Sequence, residues 1–377
     1  MRIATTASGS GRPPATGCRA FVFRLIVFAA SIAGSAHAGG LSIPAGDSFL
    51  LEAAIDAPKA RTASRVVVLL HGSGPQTMDE DLSAMCTPGV TSRFFVDLSG
   101  ALTAKGFTVV RYHKRSYQVH LAAKADPGYF SSEQFKKYAA HPLRYFIDDA
   151  EAAVRWVRAR YPKVPIFLLG HSEGGIVALQ AAREEPSVRG VGVIGFSPLG
   201  LDPLLLEQTV YRYQEQFSAL DRNHDGFLDD PELAAEGTWA TALRAQKATL
   251  DFDHDSRVSR DEFLGAQLSN ILLDGPTQAE YRVDEAALPR PAAIVRDLAI
   301  PVAVFQGEWD NQTPAFHARA VELLNSAVWK KPTVSFTFFP QLGHSLDPRD
   351  GPQDLVYRRA DPAALATLAA ALNRIWK

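Results

Sequence analysis

A serine flanked by glycines is the part of this sequence best suited to chemistry. Ser172 lies in the pentapeptide Gly170-His171-Ser172-Glu173-Gly174, directly after the apolar run 164–169 and before the helix-like run 176–183. A strand-to-helix turn this tight needs glycine on both sides of the serine, because a Cβ there would crowd the backbone. Such a turn is typical of a nucleophile elbow, which presents the serine hydroxyl at the edge of a sheet. The pattern therefore predicts Ser172 as a nucleophile for acyl transfer.

Two further polar side chains follow later strand-like runs, in the order that a nucleophile elbow requires. Asp310 comes after one such run and His344 after the next. Functional groups of an open parallel sheet gather at the carboxyl ends of its strands. We therefore expect His344 to accept the Ser172 proton and return it to the leaving group, while Asp310 orients the imidazole ring. Glu308 is a second candidate for the acid, ranked below Asp310.

A glycine-rich turn is the candidate source of hydrogen bonds to a developing oxyanion. The segment His71-Gly72-Ser73-Gly74-Pro75 directly follows the strand-like run 65–70. Glycines allow backbone N–H groups to approach a substrate oxygen closely. We expect one donor to be the Ser73 amide and the other to be the amide of Glu173, the residue after the nucleophile.

Acidic side chains alternate through the segment 221–232 in the pattern of an EF-hand loop. Calcium is a hard cation that takes six to eight oxygen ligands, and Gly226 stands at position 6, where the loop turns sharply. Leu228 fills position 8 with an apolar side chain. The expected ligands are Asp221, Asn223, Asp225, the Phe227 carbonyl, Asp229 and Glu232.

A second loop of the same kind occupies the segment 251–262. Ser256 replaces the glycine of position 6, so we expect weaker calcium binding here than in the first loop. Val258 again supplies an apolar position 8. The expected ligands are Asp251, Asp253, Asp255, the Arg257 carbonyl, Ser259 and Glu262. The chain is therefore predicted to bind up to two Ca²⁺ ions.

The elements that must position these groups alternate between strand-like and helix-like runs. This alternation predicts an α/β fold with a mostly parallel sheet. The predicted strands are 65–70, 107–112, 164–169, 192–196, 301–305 and 334–339, and the predicted helices of the same layers are 94–105, 143–161 and 363–376. Residues 200–292 interrupt the alternation with an acidic, helical segment that carries both loops, entered by predicted helices 204–219 and 239–250. The predicted organisation is a core in two parts, 39–199 and 293–377, with 200–292 inserted as a cap.

The N-terminus is typical of a secretory signal peptide. Four arginines and no acidic residues precede an apolar run at 25–34, and Ala36-His37-Ala38 forms a small-x-small cleavage site. A transmembrane helix needs about 20 apolar residues, so an uncleaved membrane anchor is the less favoured alternative. Cleavage after residue 38 would leave Cys86 as the single cysteine, which excludes an intrachain disulfide. We expect an exported protein, in the periplasm or outside a bacterial cell.

The composition excludes one broad class of function. The chain has 377 residues, 46% of them hydrophobic and 21% charged, with a formal net charge of -2. This is ordinary globular composition without the basic face of a nucleic-acid-binding protein. The oligomeric state is left open.

The motifs together resemble the α/β-hydrolase fold, closest to the bacterial esterase and serine-aminopeptidase-like branch. That branch pairs His-Gly-Ser-Gly-Pro with a basic "YDKRG"-like turn, which this chain matches with two departures at 112–116 (Tyr-His-Lys-Arg-Ser). The resemblance covers residues 60–200 and 295–377, and the two acidic loops resemble a paired EF-hand module placed where many such hydrolases carry a lid. The resemblance to this family implies a serine hydrolase acting on small carboxylic esters. The alternatives are a serine peptidase acting on small peptides, or a non-catalytic calcium-binding protein on a hydrolase scaffold.

Overall fold

The structure is a computed structural model that describes residues 41–59, 63–234, 238–272 and 276–376. The predicted signal peptide, 1–38, lies outside the described residues. None of the helices within these ranges combines the length and the hydropathy that a membrane crossing needs.

The centre of the fold is an eight-stranded sheet, and the strands are numbered along the chain. The strands are β1 (Leu41–Pro44), β2 (Leu50–Asp56), β3 (Val66–Leu70), β4 (Thr108–Tyr112), β5 (Ile166–His171), β6 (Val188–Ile194), β7 (Phe227–Leu228), β8 (Val258–Ser259), β9 (Val302–Gly307) and β10 (Val334–Phe339). The order across the large sheet is β1-β2-β4-β3-β5-β6-β9-β10, and β7 pairs with β8 separately. All neighbours from β4 to β10 in this sheet run parallel, while β1 and β2 add an antiparallel edge. The prediction of a mostly parallel sheet flanked by helices is confirmed.

The helices are likewise numbered along the chain. They are α1 (Phe94–Ala104), α2 (Arg115–Ala125), α3 (Glu133–Ala140), α4 (Pro142–Arg160), α5 (Glu173–Glu184), α6 (Leu201–Leu206), α7 (Arg212–Leu220), α8 (Asp230–Leu233), α9 (Thr238–Leu250), α10 (Arg260–Leu272), α11 (Pro276–Ala286), α12 (Pro291–Asp297), α13 (Ala315–Leu324) and α14 (Pro362–Ile375). A π-helical stretch, Glu207–Tyr211, joins α6 to α7, so helical backbone runs without a break from 201 to 220.

The sheet is covered on both faces, as its apolar strands require. A strand buried on both sides reads as a continuous hydrophobic run rather than an alternating one. In β3, Val66, Val68 and Leu70 join the apolar cluster that contains α4, α5 and α12. Val67 and Leu69 join the cluster of the other face, which contains α1 and α14.

The stretch between β6 and β9 contains helices and one small strand pair. It holds α6 to α12, with β7 and β8 paired antiparallel between α7 and α10. Part of it has its own apolar cluster, separate from the two beside the large sheet. The members of that cluster are Phe217, Leu228, Leu233, Leu243, Leu250, Val258, Phe263 and Ala266.

Candidate active site

The turn that carries Ser172 has the strained backbone of a nucleophile elbow. Strand β5 ends at His171, helix α5 begins at Glu173, and Ser172 between them has φ 55° and ψ -122°. A Cβ at Gly170 would overlap the Gly174 carbonyl, and a Cβ at Gly174 would overlap the carbonyl of the neighbouring β3 strand. Since a non-glycine residue at positive φ costs about 1–3 kcal/mol, the surrounding packing must hold this conformation in place. The flanking glycines are therefore required sterically.

Asp310 and His344 lie together at the carboxyl ends of β9 and β10. His344 Nδ1 is 2.9 Å from one carboxylate oxygen of Asp310 and 3.0 Å from the other. Both side chains are buried. The contact occupies Nδ1 and leaves Nε2 as the ring nitrogen available to a serine hydroxyl.

The environment of Asp310 favours its charged form. Burial by itself would raise the pKa of this carboxyl, but His344 and the hydrogen bonds from Thr313 bring it below the ordinary value. The Thr313 hydroxyl donates at 2.6 Å, and Gln306 Nε2 and the Gln312 amide donate at 2.9 and 2.8 Å. A carboxylate held by this many donors is both ionised and fixed in orientation.

Glu308, the other candidate acid, faces solvent. Its carboxylate pairs with Arg319, and its side chain is exposed. Between the two candidates, Asp310 is the one in contact with His344.

The nucleophile elbow and the histidine loop contact each other through His171. Its ring centroid is 4.6 Å from that of His344, and its Nε2 is 3.2 Å from the His344 carbonyl oxygen. Among the described residues, no hydrogen bond joins the Ser172 hydroxyl to His344. Catalytic hydrogen bonds are often long in the free enzyme and tighten only when substrate binds.

Both amides predicted as oxyanion donors are free to bind a ligand. The N–H groups of Ser73 and Glu173 donate to no group within the described residues. The preceding residue, Gly72, lies against the elbow, because a Cβ built on it would be 3.4 Å from Ser172 Cβ. Two unpaired donors on neighbouring segments beside a serine are the elements of an oxyanion hole.

A buried carboxylate that the sequence analysis missed supports this region. Glu80 Oε1 is 2.8 Å from His171 Nδ1 and also accepts a hydrogen bond of 2.9 Å from the Gly72 amide. Burial lowers the pKa of His171, but Glu80 outweighs it and the net shift is upward. The only signal in the sequence was an acidic residue in a polar loop, which does not reveal a contact with a residue 91 positions away.

The first acidic loop has its side chains folded inward around its own backbone. The Asp225 amide donates to Asp221 at 3.1 Å and to Asn223 at 2.9 Å, and Gly226 has φ +84°. Glu232 accepts from the Arg222 amide at 2.8 Å. Asp229 caps α8 by accepting from the Glu232 amide, and Phe227 opens the strand β7.

The second loop repeats this arrangement. The Asp255 amide donates to Asp251 at 3.0 Å and to Asp253 at 3.1 Å. The carboxylates of these three residues each offer an oxygen within 4.8 Å of the others. Ser256 has φ +71°, the left-handed conformation that favours glycine. Glu262, at the last position, accepts from the Ser259 amide at 2.8 Å.

The two loops pair with each other through their apolar eighth positions. Leu228 and Val258 are opposite each other in the β7–β8 ladder, and both are buried. The ladder fixes the relative position of the two loops. In the second loop, the Arg257 guanidinium also bonds the Asp255 carboxylate at 3.1 Å, so a cation there would compete with an arginine for one ligand.

The helical stretch that leads into the first loop packs on the segment of Asp310. Arg212 donates to the Asn311 carbonyl at 2.8 Å, and Gln208 donates to the Gln312 carbonyl at 2.5 Å. The same stretch ends at Leu220, immediately before Asp221. One continuous helical element therefore connects the first acidic loop to the residues beside Asp310.

Comparisons with known proteins show which proteins this chain is similar to. A family model described as serine aminopeptidase, S33, matches residues 89–346. Esterase EstD of Thermotoga maritima is 31% identical over 157 residues, which are 42% of this chain and 33% of that esterase. A monoglyceride lipase of Rattus norvegicus is 46% identical over 57 residues, 15% of this chain and 18% of the lipase. The match thus spans a third or less of either relative. The solved esterase domain of a Rhodothermus marinus protein is 18% identical, covers 89% of this chain and 97% of that domain, and has a TM-score of 0.45.

Proposed function

The chain belongs to the serine aminopeptidase S33 family of α/β-hydrolases, and we propose that it is an exported serine hydrolase that cleaves small carboxylic esters. The observation that carries this proposal is the 2.9 Å contact of His344 with Asp310 beside a serine held at φ 55°. The similarity to an esterase and to a monoglyceride lipase supports ester substrates over other acyl compounds.

The mechanism assigns one role to each group of the site. His344 Nε2 takes the Ser172 proton as the hydroxyl attacks the ester carbonyl, and Asp310 stabilises the imidazolium that forms. The carbonyl oxygen becomes an oxyanion and accepts hydrogen bonds from the Ser73 and Glu173 amides. His344 then protonates the leaving alcohol, and water releases the acid from the Ser172 ester by the same steps.

The test of substrate class compares an activated ester with an amino-acid anilide. We expect measurable turnover of p-nitrophenyl acetate, much slower turnover of the p-nitroanilide of a single amino acid, and loss of both with Ser172→Ala. Faster turnover of the anilide would support the serine peptidase instead. Absence of turnover on both substrates, with calcium binding intact, would support the non-catalytic calcium-binding protein.

The proposal extends to a calcium-binding lid built from the two acidic loops. The ligand oxygens of the first loop would be those of Asp221, Asn223, Asp225, Phe227, Asp229 and Glu232, and those of the second loop Asp251, Asp253, Asp255, Arg257, Ser259 and Glu262. Three carboxylates of the second loop each offer an oxygen within 4.8 Å of the others, and a cluster of hard oxygen ligands of this kind supports a divalent cation. Bound calcium would supply positive charge that orders the loops.

Calorimetric titration tests the calcium proposal without reference to activity. We expect the wild type to bind two Ca²⁺ ions, and Asp221→Ala and Asp251→Ala each to remove one of them. Binding that is unchanged in both variants would contradict it. Export is tested separately, by locating the protein in cell fractions with and without residues 1–38.

A further inference from the structure

The basic segment 112–116 supports the loop that carries the predicted oxyanion donor Ser73. The Lys114 amide donates to the Gln76 carbonyl at 3.1 Å, and His113 Nδ1 accepts from the Met78 amide at 2.8 Å. The Ser116 hydroxyl donates to the Gly74 carbonyl at 2.9 Å. His113 and Ser116 are the two positions that depart from the "YDKRG"-like pattern, and each uses its side chain to bond the 71–78 loop.

The Lys114 ammonium makes the contact with the most direct chemical consequence. Its Nζ donates to the Gly72 carbonyl oxygen at 2.7 Å. The Gly72–Ser73 peptide is trans, and in a trans peptide the carbonyl and the following N–H point in opposite directions. Because Lys114 holds the Gly72 oxygen on one side, the Ser73 N–H must point to the other side. The amide of Gly72 itself is bonded to Glu80, so the whole Gly72 unit is held at both of its polar groups.

The same ammonium also contacts the residue that supplies the second predicted donor. Lys114 Nζ is 2.8 Å from Glu173 Oε1, and both side chains are about 5% exposed. The ammonium lies 4.5 Å from the centroid of the Phe146 ring. One buried cation therefore links the Gly72–Ser73 peptide to the first residue of α5.

We propose that Lys114 is a positioning residue of the oxyanion hole, which fixes the direction of the Ser73 N–H and its placement relative to the Glu173 N–H. This rests on the proposed serine hydrolase function. A buried ion pair is weak evidence for a role in stability, since replacing both partners by neutral groups of similar volume is often neutral or stabilising. A role in orientation is different, because preorganised donors lose their effect when they are displaced by about 1 Å.

The experiment compares Glu173→Gln with the double variant Glu173→Gln/Lys114→Met. Glu173→Gln leaves the Lys114 ammonium without its carboxylate partner but retains the acceptor at the Gly72 carbonyl, and the double variant removes both charges. Asp47→Asn is the matched control, since it removes one ion pair of the neighbouring buried Arg115 and touches neither oxyanion residue. The measurements are melting temperature, kcat and KM on p-nitrophenyl acetate, and the inhibition constant of a methyl trifluoromethyl ketone, whose adduct places an oxyanion in the hole.

We expect Lys114→Met on the Glu173→Gln background to lower kcat by about 10- to 100-fold relative to Glu173→Gln itself, whose kcat serves as the reference. KM should change little, and the ketone inhibition constant should rise by the same factor as kcat/KM falls. Asp47→Asn should lower the melting temperature without changing kcat. The conservative variant Lys114→Arg, which retains a cationic donor, should recover part of kcat.

Two results would overturn the proposal and can be told apart. If wild type turns over the ester and the double variant matches Glu173→Gln in kcat and ketone inhibition, the role of Lys114 is wrong while the hydrolase function stands. If the wild type neither hydrolyses esters nor binds the ketone, the hydrolase function fails, and the positioning role fails with it.

Discussion

Glu80 and His171 form a buried pair next to Ser172, the proposed nucleophile, with 2.8 Å between Oε1 and Nδ1. Through this pair one carboxylate contacts the Gly72 amide of the oxyanion loop, and one imidazole contacts the His344 carbonyl of the histidine loop. Three segments that are distant in sequence are thereby held together beside Ser172 and His344.

We predict that Glu80→Gln destabilises the fold by about 1–3 kcal/mol, because a charged hydrogen bond to a buried imidazole is lost. The loss should depend on pH. Burial lowers the pKa of His171, but Glu80 raises it overall, so the folded-state pKa lies above the unfolded value of about 6.5. The stabilisation is then fully present below about pH 6.5 and is lost as pH rises through the folded-state pKa.

The measurement is the difference in free energy of unfolding between wild type and Glu80→Gln, taken by urea titration from pH 6 to pH 9. The difference should shrink as the pH rises. Asp81→Asn, in the same acidic run but bonded to Ser83, serves as the control and should show no such trend. A gap that stays constant with pH would contradict a protonated His171.

Asp310→Asn should lower kcat by about 10⁴-fold, because an amide favours the wrong tautomer of His344, and should also lower the free energy of unfolding, because the buried carboxylate loses hydrogen bonds that it accepts from Gln306 and Thr313. Glu308→Gln is the matched control: it lies two residues away, is exposed, and pairs with Arg319, so kcat should remain unchanged. Steady-state kinetics on an ester would check both. A large loss with Glu308→Gln and a small one with Asp310→Asn would reverse the assignment of the acid.

The two acidic loops differ at their sixth position, where Gly226 and Ser256 can each be replaced by the residue of the other loop. Ser256→Gly should tighten calcium binding at the second loop by about fivefold, since a left-handed serine costs about 1 kcal/mol more than glycine. Gly226→Ser should weaken binding at the first loop by a similar factor. Calorimetry would be performed with the other loop disabled by Asp221→Ala or Asp251→Ala. If neither exchange changes the dissociation constant, backbone strain at this position does not control affinity.

We predict that bound calcium affects the position of Asp310 through the helical stretch 201–220. Removing calcium is predicted to weaken binding of the trifluoromethyl ketone by about fivefold, within the usual range of allosteric coupling. By reciprocity, the ketone should tighten calcium binding by the same factor. Arg212→Met removes the contact with the Asn311 carbonyl and should reduce both effects, while Glu215→Gln, exposed on the same helix, should preserve them. Equal ketone affinity with calcium and with chelator would contradict the coupling.

Local patterns in the sequence were sufficient to predict which side chains follow the carboxyl ends of the parallel strands. Ser172, Asp310 and His344 each follow an apolar run, and the topology of such a sheet orders the ends of its strands. Lys114 and Glu80 could not be assigned in this way, because their contacts with Glu173 and His171 join residues 59 and 91 positions apart. No motif identified in the sequence indicates either of these two pairings.

Strands without a continuous apolar run were missed, or their start was misplaced, for a different physical reason. Strands β1 and β2 are half exposed and alternate buried with exposed side chains, so they lack the continuous apolar run by which the central strands were found. Strand β6 begins at Val188, four residues before the predicted strand, because its first residues include the exposed Arg189. The short strands β7 and β8 hold only two residues each, too few for any alternation to be visible.

The proposed mechanism requires Ser172 to be a nucleophile activated by His344 and Asp310. The most direct test is the intact mass of the protein after reaction with a fluorophosphonate, for wild type, Ser172→Ala and His344→Ala. We predict a single adduct on wild type, none on Ser172→Ala, and much slower labelling of His344→Ala. An adduct that persists on Ser172→Ala, or a wild type that never reacts, would contradict the account.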